Sequence, residues 1–248
     1  MKKILSVVLA LCLVLSMAAC GGAAASKMTM GTGGTSGTYY AFGGVLGQYI
    51  KNNAGIDVTV VSTDGSKANI ESIDAGDYQL GTVQSDVLAY AWEGTRSFES
   101  EGKIDSFRVV AGLYAEAVQL ITMDPEIKSV ADLAGKSVSI GAPGSGVYFN
   151  AIDVLGAYGL TEADIDPQYL SFGDSADALK DGKIDAAFVV AGAPTTAVVD
   201  LCTTKGAYLV SLDADAVAKL KEINGAYTEC VIPAGTYEGI DEDVTTVA

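Results

Sequence analysis

Histidine is absent from this 248-residue chain. That one absence removes Ser-His-Asp and Cys-His catalysis, histidine-bound zinc and histidine general bases. Arginine is nearly absent too. Only Arg96 and Arg108 occur, and neither falls in a glycine-rich loop, so a bidentate arginine clamp on a bound anion is not expected. Lysine and arginine together number 15 against 31 acids, a formal net charge of −16. Such a chain has no electrostatic footing on nucleic acid and is repelled by anionic lipid. The apolar run over residues 4–15 is short for a bilayer span. Cysteines number four: Cys12, Cys20, Cys202 and Cys230.

The N-terminus reads as a signal peptide over residues 1–19. Lys2 and Lys3 form the positive start, the apolar run follows, and small residues Ala18 and Ala19 precede Cys20. Cysteine in that place resembles a lipobox, which makes Cys20 the expected lipidated residue. Residues 20–27 then form a flexible Gly/Ala/Ser tether. Removing the signal takes away two lysines and no acid, so −16 becomes −18. The expected location is outside the cytoplasmic membrane, lipid-anchored or periplasmic, with membrane contact only through that anchor. Cys12 leaves with the signal. Cys202 and Cys230 sit among apolar residues, and both a disulfide and two buried free thiols fit the pattern.

Beyond the tether, β-branched runs alternate with helical periodicity. Strands are expected at 27–31, 58–61, 80–83 and 107–113, with helices at 39–51, 67–75 and 87–93 between them. The same alternation resumes after residue 117. Strands fall at 118–122, 138–140, 169–171, 186–190 and 208–211, and helices at 149–158, 174–180, 195–203 and 214–224. Thr161 and Asp164 are spaced to cap a short helix. This order predicts mainly parallel sheets covered by helices.

The two halves also repeat. Ser36, Gly37, Tyr39, Val45, Leu46, Gly47 and Tyr49 match Ser145, Gly146, Tyr148, Val154, Leu155, Gly156 and Tyr158 at one constant offset. The expected fold is therefore α/β, with two similar lobes joined by a hinge into a clamshell. Lobe 1 covers 28–116 and lobe 2 covers 117–230. A return segment, 231–248, leads back toward lobe 1.

In such sheets ligands sit beyond the carboxyl ends of the strands. Two matched loops lie there: residues 31–40, rich in glycine and hydroxyls, and residues 141–149. Each runs into the first turn of a helix, where backbone N–H groups and the positive dipole end face outward. A carboxylate or phosphate suits that environment. Glycine lets backbone approach a ligand closely, and Thr35, Ser36 and Ser145 add hydroxyl donors. Gln84 and Tyr39 supply further polar contacts. Asp86 can accept a ligand amine or cap the helix after it. Neither loop is a nucleotide motif, since Thr38 and Val147 stand where a P-loop needs lysine.

At this point a family resemblance becomes specific. It rests on Gly33-Gly34-Thr35-Ser36-Gly37-Thr38-Tyr39-Tyr40, Val83-Gln84-Ser85-Asp86, the segment 129–136, Gly141-Ala142-Pro143-Gly144-Ser145-Gly146, Ala191-Gly192-Ala193-Pro194 and 232–237. Together these resemble the TAXI family, the extracytoplasmic solute receptors of TRAP transporters. The resemblance implies a type II periplasmic-binding-protein fold and no enzymatic activity or cofactor. It implies a small carboxylate ligand, such as glutamate, glutamine or a 2-oxoglutarate-like solute, delivered to a TRAP membrane permease. Carried over by motif, the ligand-binding residues are Thr35, Ser36, Gly37, Tyr39, Gln84, Ser85, Gly144, Ser145 and Gly146, and Asp86 joins them as the candidate amine acceptor; no metal site is expected. Family members continue past the segment resembling 241–248, so this chain reads as a C-terminally truncated product. Two other functions stay open: an enzyme on the same scaffold, or a ligand-sensing surface lipoprotein with no permease.

Overall fold

A computed structural model describes residues 27–142 and 144–248. The expected signal peptide, Cys20 with its lipidation and the tether up to residue 26 lie outside the described residues. Lys27, named above both as the end of the tether and as the start of a strand, opens the first strand.

The first lobe runs β1 (Lys27–Gly31), α1 (Thr38–Ala54), β2 (Asp57–Val61), α2 (Ser66–Asp74), β3 (Leu80–Gly81) and α3 (Ser85–Glu93). Its three strands are parallel in the order β2-β1-β3. Helix α1 carries two buried glycines where helix propensity argues against them. Both serve close packing on the sheet. A Cβ on Gly43 would come within 2.8 Å of Thr32, and one on Gly47 within 3.4 Å of Val60. Gly55 ends α1 in the left-handed conformation, at φ 68°.

The second lobe starts with β4 (Ala117–Thr122). It continues with β5 (Ser137–Ser139), α4 (Val147–Ala157), β6 (Asp166–Gln168), α5 (Phe172–Lys180), β7 (Ala186–Ala191), α6 (Thr196–Thr204), β8 (Tyr208–Val210) and α7 (Ala214–Ile223). The sheet order is β6-β5-β7-β4-β8. Strands β5, β6 and β7 are parallel, and β4 runs antiparallel to both its neighbours. The β-α units of the two lobes correspond, since β2-β1-β3 in one repeats as β6-β5-β7 in the other.

All six residues of β4 and all six of β7 are buried, as a central strand covered on both faces requires. Along β7, Ala186, Phe188 and Val190 face one core, which includes Leu155 and Leu220. Ala187, Val189 and Ala191 face the other, with Leu201 and Ile121. Each fully buried side chain of this size contributes about 1.5–3 kcal/mol. The first lobe has a smaller core around Ile70, Val87 and Phe98.

Three expectations change. The strand expected at 107–113 is irregular, with Val110 86% exposed. β3 pairs for two residues only, with β1, and offers no ladder on its outer edge. The strand expected at 169–171 lies at Asp166–Gln168 instead and contains Pro167. It pairs only with β5, and an edge strand tolerates proline. Lastly, the segment 231–248 does not return to the first lobe. β9 (Glu229–Ile232) and β10 (Val244–Val247) form an antiparallel hairpin. Ile232, Tyr237 and Val244 fill the second lobe's core, and Leu212 N–H donates to the Thr245 carbonyl at 2.8 Å. Cys202 and Cys230 are free thiols.

Candidate ligand-binding cleft

The loops that close the cleft are held by buried polar side chains. Asn69, on α2 and fully buried, donates to the Thr32 and Thr82 carbonyls at 2.6 and 2.8 Å. Its Oδ1 accepts from the Thr63 hydroxyl at 2.8 Å. One side chain thus pins the loops leaving β1, β2 and β3. In the second lobe Tyr237 OH donates to Gln119 Oε1 at 2.6 Å and accepts from Thr195 N–H at 2.9 Å, fixing the loop after β7.

The lobes are shut on one another. The Gly144 carbonyl accepts from Lys67 N–H at 3.0 Å and Ala68 N–H at 3.3 Å, capping α2 from across the cleft. In the other direction the Ser36 carbonyl accepts from Ala197 N–H at 3.2 Å, in the first turn of α6. Thr38 Oγ1 donates to the Gly192 carbonyl at 3.0 Å. Helix termini need such acceptors, so each glycine loop completes a helix of the opposite lobe.

Between the lobes lies a cavity of about 70 Å³, lined by Gly37, Tyr39, Gln84, Glu116, Ser145 and Phe172 among others. That is room for more than one water. The caps of α1 and α4 are Gly37 and Gly146, which have no side chain to offer. Among the described residues, the amides of Thr38, Tyr39, Val147 and Tyr148 have no hydrogen-bond acceptor, and Thr38, Tyr39 and Val147 line the cavity. Ser145 is 5% exposed, and its Oγ has no partner among the described residues. A buried hydroxyl left unpaired costs about 1–3 kcal/mol. A bound acceptor would relieve that cost.

No lysine or arginine lines the cavity. Two carboxyl groups line it, Asp64 and Glu116, and Glu116 Oε2 accepts from Tyr39 OH at 2.5 Å. Burial pushes the Glu116 carboxyl up to about 8, the Asp86 charge adds to that, and the Tyr39 hydrogen bond opposes it. Tyr39 is raised well above the ordinary phenol range, by burial first and by Glu116 next. Both side chains keep some solvent-accessible surface, and both line the cavity.

The ten residues named from the sequence separate into groups. Gly37, Tyr39, Gln84, Ser145 and Gly146 line the cavity. Ser36 and Gly144 give their carbonyls to lobe closure. Thr35 and Ser85 are exposed outside the lining. Asp86 is buried behind the cavity. Its Oδ1 accepts from Val87 N–H at 2.8 Å and its Oδ2 from Asn150 Nδ2 at 3.1 Å; burial raises its pKa. It is already engaged and does not face a ligand. Glu116 was missed because it sits in an irregular run. Its only signal is its place directly before the apolar strand at Ala117. Ser171 was missed because the strand before α5 is expected three residues late, over it, and Phe172 because the helix is expected to start at 174 while α5 starts at Phe172. No group of three or more His, Cys, Asp or Glu that could hold a metal occurs among the described residues.

Two α/β lobes of matching strand order, closed over a cavity at the strands' carboxyl ends, define the type II periplasmic-binding-protein fold. Residues 30–248 match the NMT1-like family, and the chain belongs to that family. Solved structures agree on the fold. One is a protein from Bordetella bronchiseptica RB50, with 20% identity over 90% of this chain and 63% of that one, at a TM-score of 0.56. Another is the alkanesulfonate-binding protein SsuA from Xanthomonas axonopodis pv. citri bound to MOPS, with 19% identity over 75% and 60% and a TM-score of 0.51. A third is a Salmonella typhimurium periplasmic binding protein of high arginine specificity, with 14% identity over 82% and 92% and a TM-score of 0.50. The chain thus spans less than two thirds of the first two structures. No helix among the described residues is long and apolar enough to cross a membrane.

Proposed function

We propose that this protein is an extracytoplasmic solute receptor, which captures a small carboxylate-bearing molecule between its lobes and releases it unchanged. One observation carries the reading. Among the described residues the Ser145 hydroxyl is buried without a partner, in an inter-lobe cavity that also faces amides at the starts of α1 and α4 with no acceptor among those residues. An anion seated there accepts from that hydroxyl and both helix starts. The missing Gly37 and Gly146 side-chain caps give its oxygens room. Closure follows from the Gly144 and Ser36 carbonyls bridging the lobes, the hinge motion of this class of fold. The absence of histidine supports binding without chemistry.

The finer reading is a TAXI-type receptor, exported, anchored through Cys20 and serving a TRAP permease. Its support is the resemblance of the two glycine loops and the lipobox-like N-terminus. The test is thermal unfolding with a panel of dicarboxylates and amino acids. A ligand at 100 times its Kd adds about 2.7 kcal/mol, which raises Tm by roughly 5–10 °C in a chain of this size. If the whole panel leaves Tm unmoved, the carboxylate reading fails.

A further inference from the structure

We propose that Glu116 is the specificity-determining residue of the cleft and selects ligands that carry a cationic amine beside their carboxylate. The inference rests on the solute-receptor reading above.

The argument is one of charge and position. The cavity has helix starts and an unpartnered hydroxyl, which suit an anion. It also has two carboxyl groups, Glu116 and Asp64, and no lysine or arginine to neutralise them. A simple dicarboxylate would bring a second carboxylate into this space with no cation to meet it. Facing that carboxylate, Glu116 stays protonated and gains no ion pair. A ligand with both a carboxylate and an ammonium group satisfies both ends. Its carboxylate faces Ser145 and the amides, and its ammonium faces Glu116. Tyr39 holds Glu116 by one oxygen only, Oε2, and leaves Oε1 without a hydrogen-bonded partner among the described residues. Asp64 lines the cavity too but is solvent-exposed, and Asp86 is held by Asn150 and the Val87 amide and does not compete.

Proton balance gives a second readout. Tyr39 on α1, Asp86 on α3 and Tyr114 on its own segment act on Glu116, and Asp64 on the loop after β2 lines the same cavity. Burial keeps the Glu116 proton in place at neutral pH, and none of these groups is a cation that would draw it off. When an ammonium ligand enters with its own proton in place, the Glu116 O–H bond breaks. The proton leaves to solvent, and an ion pair forms.

The test is calorimetry on the whole protein with matched probes: L-glutamate with glutarate, L-alanine with propionate, and L-leucine with 4-methylpentanoate. The amine-bearing member of at least one pair should bind about tenfold tighter or more. Its binding should release close to one proton at neutral pH, read from two buffers of different ionisation enthalpy. In Glu116→Gln that preference should shrink to a few-fold, and the proton release should vanish. Equal or tighter binding of the deaminated partner to the unsubstituted protein overturns the inference and leaves the receptor reading standing. So does an unchanged preference in Glu116→Gln. The unsubstituted protein carries the first comparison alone, so a folding defect in the variant does not block the test. If no probe binds at all, the receptor reading falls, and this inference with it.

Discussion

Arg96 crosses from the first lobe to Asp153 on α4 of the second, with Nη2 and Oδ1 2.7 Å apart. Asp153 is 5% exposed, while Arg96 keeps about a third of its side chain in solvent. The pair ends a chain of polar contacts across the hinge. Gln84 Nε2 donates to Asn150 Oδ1 at 2.6 Å, and Asn150 Nδ2 donates to Tyr227 OH at 2.8 Å. Tyr227 OH in turn donates to Asp153 Oδ2 at 3.0 Å. Arg96 also lies over the rings of Tyr90 and Phe149. It holds a positive φ of 49° to do so, a conformation that non-glycine residues adopt rarely.

Breaking this chain should loosen closure. Arg96→Ala is expected to cost about 1–3 kcal/mol, since the arginine is partly solvated. Asp153→Ala should cost at least as much, about 1–3 kcal/mol, because it also leaves the buried Tyr227 hydroxyl without its acceptor. Both variants should enlarge the radius of gyration in solution scattering. Denaturation midpoints that match the parent would show that the pair contributes nothing to holding the lobes.

Ser145→Ala separates binding from stability. The hydroxyl has no partner among the described residues, so removing it should leave Tm unchanged or slightly raised. A ligand carboxylate that uses it loses a charge-assisted hydrogen bond worth about 1.5–3 kcal/mol. Affinity for a carboxylate ligand should therefore fall roughly tenfold to a hundredfold, as read by calorimetry. An undiminished affinity would move the anion seat away from α4.

Much of this was legible in the sequence because local pattern and fold agree. The β-branched run at Val58–Val61, the glycine stop at Gly55 and the Ser-Gly-x-Tyr loops each report on their own segment. What was not legible depends on neighbours distant in the chain. The run 107–113 is as apolar as a strand, but a strand needs a partner, and pairing is not written in its own residues. Pro167 signals a break, and only the edge position of β6 makes it acceptable. Glu116 looks like a surface acid until Tyr39 is placed against it. Asp86 looks like a loop carboxylate until Asn150, from the other lobe, is seen to occupy it.

Two glycines should respond oppositely to the same change. A Cβ on Gly146 would lie 1.8 Å from Gln84 Oε1 and 3.0 Å from Val87. Gly146→Ala must push Gln84 off Asn150, so it should cost about 1–3 kcal/mol and weaken closure. Gly44, inside α1, has nothing within 4 Å of the new methyl. There Gly→Ala should stabilise by up to about 1 kcal/mol through helix propensity. Urea denaturation of the two variants checks both signs, and a neutral Gly146→Ala would mean that Gln84 has room to move.

The last expectation concerns pH. Glu116 holds its proton up to about 8 in the folded cavity, against 4.5 for the free side chain. Between those values the folded protein binds more protons than the unfolded chain. Stability from this group is therefore complete below about 4.5 and is lost as pH rises toward 8. Asp86, also raised by burial, acts in the same direction. Carboxylates held low, such as Glu101 beside Lys67, act oppositely, with their contribution lost as pH falls through the acid range below 4.5. The two effects separate by comparison with Glu116→Gln, whose amide still accepts from Tyr39 but cannot ionise. Ligand-free parent protein should lose Tm relative to that variant from pH 5 to pH 8. Parallel Tm curves over that range would show that Glu116 is ionised in the folded state, and the cavity would then be more open to water than its lining implies.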